Sequence, residues 1–167
     1  MEEFCTEHSI AWDRCGKVVV ATSEAELNRL DNIAKRASLN GVQCERINSD
    51  QLRELEPAAA GISALHVPET GIVNYREVCM KMAEILVQGG ASIELDFELA
   101  GIQNVGSGLE IQGKAGQNIQ AKRLINCGGL QSDRICKMAG INTDLKVVPF
   151  RGEYYELAPR SRNLCRN

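Results

Sequence analysis

Two adjacent glycines, Gly128 and Gly129, sit where an apolar run gives way to a helical pattern, in Leu124-Ile-Asn-Cys-Gly-Gly-Leu-Gln-Ser-Asp133. A strand that turns into a helix through glycines exposes backbone N–H groups. With no β-carbon in the way, the main chain can approach the phosphate or ribose of a ligand. The stretch is not a full GxGxxG, and the chain has no P-loop, so the same residues also read as an ordinary tight βα turn. A second candidate lies in Val147-Val-Pro-Phe-Arg-Gly-Glu-Tyr-Tyr155. Its Arg151 can fork onto a carboxylate through parallel N–H groups, and Gly152 can mark a bulge or the close approach of something flat. The plainer alternative is a strand-edge arginine paired with a surface acid. Tyr154 and Tyr155 point to opposite faces of a strand, so at most one of them can meet a ligand.

Other reactive residue types are less suggestive. The seven cysteines, Cys5, Cys15, Cys44, Cys79, Cys127, Cys136 and Cys165, form no CxxC, and His8 and His66 are the only histidines. Zinc-finger spacing and a confident Ser-His-Asp set are therefore both absent. An odd cysteine count in a chain of this length argues against a secreted disulfide scaffold. The thiols are expected to be reduced and mostly buried as small hydrophobes. His66, in a strand with no partner nearby in sequence, is assigned no role, and Asp133 and Arg134 read as helix-start residues.

The elements that must position these groups alternate between helix and strand. Lys17–Ala21 (KVVVA) reads as a buried strand. Ser23 and Glu26 have capping-box spacing ahead of a helix ending at Asn40-Gly41. Residues 1–9 read as a helix end or a frayed tail. Val42–Ile47 is expected to be a strand, Ser49–Glu56 a short helix stopped by Pro57, and Ile62–Val67 a strand. Asn74 and Glu77 repeat the capping pattern before a helix whose apolar face is Val78, Met82, Ile85 and Leu86. Ser92–Leu95 reads as a strand. A meander follows, over Leu99–Val105, Leu109–Gln112 and Asn118–Ala121. Lys122–Cys127 is expected to be a buried strand entering the glycine turn and a helix to about Ala139, and Lys146–Leu157 to be a further strand. The expected class is α/β with α+β character.

The chain has 167 residues, 44% hydrophobic and 25% charged, which places it among ordinary globular proteins. A compact chain of this size buries about 70% of its unfolded surface. A net charge of −3 and an aromatic content of 4% argue against a nucleic-acid partner. No apolar run is long enough to span a bilayer, and the acidic start Met1-Glu2-Glu3-Phe4 does not fit a signal or transit peptide.

Read together, several stretches resemble a family: the FAD-dependent L-2-hydroxyglutarate oxidases or dehydrogenases of the D-amino-acid-oxidase-like superfamily. The stretches are Cys15-Gly-Lys-Val-Val-Val-Ala21, Arg36-Ala-Ser-Leu-Asn-Gly41, Leu52-Arg-Glu-Leu-Glu-Pro57, Thr70-Gly-Ile-Val-Asn-Tyr-Arg76, Cys127-Gly-Gly-Leu-Gln-Ser-Asp-Arg134 and Pro149-Phe-Arg-Gly-Glu-Tyr154. The last, continued by Tyr155-Glu-Leu-Ala-Pro159, is the most specific. Such enzymes open with a strand and a GxGxxG turn for the FAD pyrophosphate, and this chain shows neither, so it resembles an internal part of the enzyme that is inactive alone.

The resemblance implies a mixed-sheet substrate domain plus part of an FAD-binding domain. Residues 1–90 would be mostly substrate domain, entering the FAD domain near 72–90. Residues 91–140 would be FAD-domain chain with a β-meander insertion and the glycine turn, and 141–167 would return to the substrate domain. It implies that Cys127, Gly128 and Gly129 line the phosphate and ribose of FAD, that a backbone group near Leu99 meets the adenine, and that Arg151 and Gly152 lie toward flavin and substrate. The implied substrate is a small dicarboxylate, and the electron acceptor oxygen or a membrane quinone. The implied location is the cytoplasm or the mitochondrial-matrix side, peripheral to the inner membrane, and the catalytic base is expected outside these residues. The alternatives are oxidation of an amino acid or glycerol 3-phosphate by the same superfamily, and a non-catalytic α/β binding module.

Overall fold

A computed structural model describes residues 1–166. Asn167, at the end of the expected return segment 141–167, lies outside the described residues. The architecture is mixed α/β, as expected, and forms two compact units. One comprises Met1–Ala91 together with the chain from Tyr155 onward, and the other is Ser92–Tyr154.

The first unit contains α1 (Glu2–Glu7), β1 (Trp12–Asp13), β2 (Lys17–Ala21), α2 (Glu24–Leu39), β3 (Glu45–Ile47), α3 (Ser49–Leu55), β4 (Ser63–Val67), β5 (Ile72–Val73) and α4 (Tyr75–Gln88). Its antiparallel sheet has the order β2-β4-β3, with Val19 opposite Leu65 and Val20 opposite Ala64. The unbroken apolar run of β2 follows from cover on both faces. Val19 and Ala21 pack with Leu30 and Leu65 under α2, whereas Val18 and Val20 pack with Ile47, Leu52 and Ala64 under α3. Successive strand residues point to opposite faces, so a strand with helices on both sides needs apolar residues throughout. A third cluster joins Cys5, Ile10 and Val78, with Phe4 and Val73 against it. Beside it, β1 pairs antiparallel with β5.

The second unit is a three-stranded antiparallel meander of β6 (Leu99–Val105), β7 (Gly108–Gly113) and β8 (Asn118–Ala121), then a 3₁₀ turn at Gly129–Gln131 and α5 (Ser132–Met138). A register irregularity interrupts the β6–β7 ladder between Leu99 and Gly101.

Several expectations are corrected. Residues 1–9 are not frayed, because Cys5 of α1 is fully buried. Ser23 sits at the start of α2 but its side chain makes no cap hydrogen bond. Instead the backbone N–H and the hydroxyl of Thr22 donate to Glu26 at 2.8 and 2.9 Å. The strand expected over 42–47 is confined to Glu45–Ile47. Residues 92–95, 122–127 and 146–157 have strand-like sequences but join no ladder. Their composition suits a pleated, half-buried surface, yet a strand exists only where a neighbour takes its backbone hydrogen bonds. On α4 only Val78 is buried; Met82, Ile85 and Leu86 are exposed. All seven cysteines are free thiols, but only Cys5 is buried, and Cys79, Cys127 and Cys165 are exposed.

Candidate functional site

All the residues singled out from the sequence, Leu99, Cys127, Gly128, Gly129, Arg151 and Gly152, fall in the second unit. The glycine turn is its most tightly specified part. The carbonyl of Gly128 accepts from the Gln131 N–H at 2.9 Å, closing the turn that leads into α5. The two glycines answer different needs. A β-carbon on Gly128 would stand 2.4 Å from Ile135 Cδ1, so the first glycine lets the turn lie close against α5. Gly129 has φ +53°, and nothing lies within 4 Å of the point where its β-carbon would be. The second glycine thus combines a left-handed backbone with an open face, where a phosphate or ribose can reach the main chain.

Asn126 holds this turn, and the sequence reading passed over it. Its Oδ1 accepts from the Gly128 N–H at 3.0 Å, while its Nδ2 donates to the Ser132 carbonyl at 2.9 Å and to Cys136 Sγ at 3.5 Å. The available signal was an asparagine two residues before a glycine, the spacing at which an amide side chain closes a turn on its own backbone. Asp133 also braces the segment. It accepts from the Arg134 N–H at 2.8 Å and, through its other oxygen, from the Val147 N–H at 3.4 Å. An apolar hollow of about 300 Å³ lies between the meander and α5, lined by Ile102, Leu109, Leu124 and Ile135 among others. None of the residues singled out from the sequence lines it.

Leu99 opens β6 opposite Gly113 and is half-buried. Arg151 is not in a strand: it and Gly152 lie in irregular, exposed chain. The Arg151 guanidinium is 88% exposed, with Nε 3.6 Å from Glu153 Oε1. This matches the plainer pairing with a surface acid. Exposed pairs of this kind contribute about 0–1 kcal/mol, too little to keep the guanidinium from a better carboxylate. Tyr154 and Tyr155 are both fully open to solvent. No hydrogen bond among the described residues links Leu99, the glycine turn and Arg151 to one another, so they are three separate features of one unit. No group of three or more His, Cys, Asp or Glu among the described residues could hold a metal ion.

The second unit thus joins a three-stranded meander to a glycine turn whose backbone is open at Gly129, within a mixed α/β chain. The comparisons define its class. The family described as "FAD dependent oxidoreductase" matches residues 1–167, and the chain belongs to that family. The L-2-hydroxyglutarate dehydrogenase of Escherichia coli (strain K12) is 39% identical over 161 residues, covering 96% of this chain and 38% of that protein. The mitochondrial L-2-hydroxyglutarate dehydrogenase of Mus musculus is 34% identical over 176 residues, covering 98% of this chain and 38% of its own. The chain thus spans about two fifths of the length of these curated relatives. Among solved structures, L-proline dehydrogenase from P. horikoshii aligns with TM-score 0.72 at 18% identity, over 86% of this chain and 39% of that one. Glycine oxidase from Geobacillus kaustophilus aligns with TM-score 0.70 at 21% identity, over 84% and 39%. At these identities the structural likeness speaks for the fold alone.

Proposed function

We propose that this chain forms part of an FAD-dependent oxidoreductase that oxidises L-2-hydroxyglutarate to 2-oxoglutarate. The supporting observation is the 39% identity to the Escherichia coli L-2-hydroxyglutarate dehydrogenase, spread over 96% of the chain. The residues present suit the cofactor: Gly129 has a left-handed backbone, φ +53°, and open space where a β-carbon would stand, so a phosphate or ribose can approach its main chain. In this reading Cys127, Gly128 and Gly129 line the phosphate and ribose of FAD, and backbone at Leu99 meets the adenine. When bound, FAD supplies the two-electron acceptor for the carbon bearing the hydroxyl group. Arg151, and the backbone at Gly152 beside it, face the substrate. The guanidinium gives up its loose pairing with Glu153 to grip a carboxylate through two parallel N–H groups. The base that takes the hydroxyl proton is assigned to no residue of this chain.

The two carboxylates of the substrate account for a cationic anchor outside the cofactor cradle, which an amino-acid substrate with one carboxylate needs less. The electron acceptor in this reading is oxygen or a membrane quinone. The protein works in the cytoplasm or on the matrix side, peripheral to the inner membrane, and no helix among the described residues is long and apolar enough to cross a membrane. The test is a substrate panel on the flavin-loaded protein carrying this chain, using L- and D-2-hydroxyglutarate, glycine, L-proline and glycerol 3-phosphate. The proposal expects kcat/KM for L-2-hydroxyglutarate to exceed every other by at least about a hundredfold, or about 2.7 kcal/mol. Comparable turnover of glycine or L-proline would place the protein with the amino-acid oxidases instead.

A further inference from the structure

We infer that Asn126 is a positioning residue for the cofactor: its side-chain amide holds the glycine turn in the shape that receives FAD. The inference rests on the reading of Gly128 and Gly129 as the FAD-facing turn. Both ends of the amide are engaged. Oδ1 accepts from the Gly128 N–H at 3.0 Å, and Nδ2 donates to the Ser132 carbonyl at 2.9 Å and to Cys136 Sγ at 3.5 Å. One planar group therefore ties the turn to the first residue of α5 and, through Cys136, to its next turn. Gly129 lies between these anchor points, left-handed and contacted by nothing within 4 Å of its missing β-carbon. A glycine in open space has no side chain to hold its conformation, and glycine populates positive and negative φ about equally. Its φ of +53° is fixed by the residues on either side, and Asn126 is the side chain that bonds on both sides of it.

The chemistry of the amide explains why asparagine stands here. Aspartate can accept from Gly128 but would present a second oxygen to the Ser132 carbonyl, and serine can accept from Gly128 but is too short to reach α5. Either replacement keeps one anchor and loses the other. A loosened turn still presents the same backbone groups, but it must be ordered when FAD binds, and that cost appears in affinity.

The experiment compares FAD affinity, the spectrum of the bound flavin, and the apoprotein melting temperature for the holoprotein carrying this chain and its Asn126→Ala and Asn126→Ser variants. Affinity is read by flavin fluorescence titration well below the melting temperature. Asn126→Ala is expected to raise the FAD dissociation constant by roughly tenfold to a hundredfold, from loss of hydrogen bonds of ordinary strength. At saturating FAD the absorption spectrum is expected to be parental. Asn126→Ser, which keeps the Gly128 bond, should fall between parent and alanine, and decides the matter if the alanine variant does not fold. An unchanged dissociation constant in the serine variant, or in a folded alanine variant, overturns the inference, as does a spectrum at saturation that differs from the parent's. If the parent binds no FAD, the proposed function fails and this inference with it. If the parent binds FAD and the variants bind it equally well, the inference fails alone.

Discussion

Arg151 and Gly129 are two residues on which a substitution is expected to touch function. The Arg151 side chain is 88% exposed and its contact with Glu153 spans 3.6 Å, so little stability depends on it. Lysine keeps the charge but not the two-pronged grip. In the flavin-loaded protein, Arg151→Lys is therefore expected to lower kcat/KM for L-2-hydroxyglutarate by about thirtyfold, or about 2 kcal/mol, with FAD content and melting temperature near parental. A change within about twofold would leave Arg151 a surface ion pair, and loss of FAD or of the fold would make it structural. Gly129→Ala meets no neighbouring atom but forces a β-carbon into a left-handed backbone, at a cost of about 1–2 kcal/mol. It should also weaken FAD binding beyond that stability loss, because the new methyl group would occupy the proposed approach of the cofactor. Chemical denaturation and FAD titration on the same variant separate the two effects. Gly128 was legible as a turn glycine, but its closeness to Ile135 was not, because packing between a turn and the helix it leads into leaves no trace in residue type.

At the scale of elements, the sequence was most readable where a segment's partner is local. β2, β6 and β8 keep the limits expected of them, and the helices at 24–39 and 75–88 begin and end at their polar and glycine signals. The meander was legible because each of its strands pairs with the next across a short turn. Residues 92–95, 122–127 and 146–157 have strand composition and no ladder, since alternation shows that a segment could pair and not whether a neighbour is there. α2 starts after Ser23 as expected, but the side-chain bonding at its start differs from the expected box. Glu26 accepts from the Thr22 N–H and hydroxyl, which with a smaller contribution from the Ser23 N–H hold its carboxyl below its ordinary value of 4.5, while the Ser23 side chain makes no cap bond. A depressed folded value means that this contribution to stability is complete above about pH 4.5 and is lost as pH falls through the lowered value. Glu26→Gln keeps an acceptor but not the charge. The melting-temperature gap between parent and variant should therefore be widest near neutrality and close on acidification below that point. A gap constant from pH 7 to pH 3 would remove the charged cap from the account.

The whole molecule exposes 13301 Å². A compact protein of this mass exposes about 8,100 Å². The expected burial of about 70% of the unfolded surface is therefore not reached, and the open apolar residues include Met82, Ile85 and Leu86 on α4, and Ile125 and Val148. Exposed apolar side chains of this number are a ready surface for a hydrophobic probe. The 167-residue chain by itself is accordingly expected to bind a hydrophobic dye strongly and, having no GxGxxG, to emerge from gel filtration colourless. A stoichiometric flavin band surviving that step would contradict this. The central claim is that these residues serve an FAD-dependent oxidation of L-2-hydroxyglutarate. Its most direct test is anaerobic titration of the flavin-loaded protein carrying this chain, following the oxidised-flavin absorption band. The account predicts that one equivalent of L-2-hydroxyglutarate bleaches the band and yields one equivalent of 2-oxoglutarate, while the D-enantiomer and glycine leave it unchanged. A band that persists with the L-enantiomer, or that glycine bleaches equally well, would contradict it.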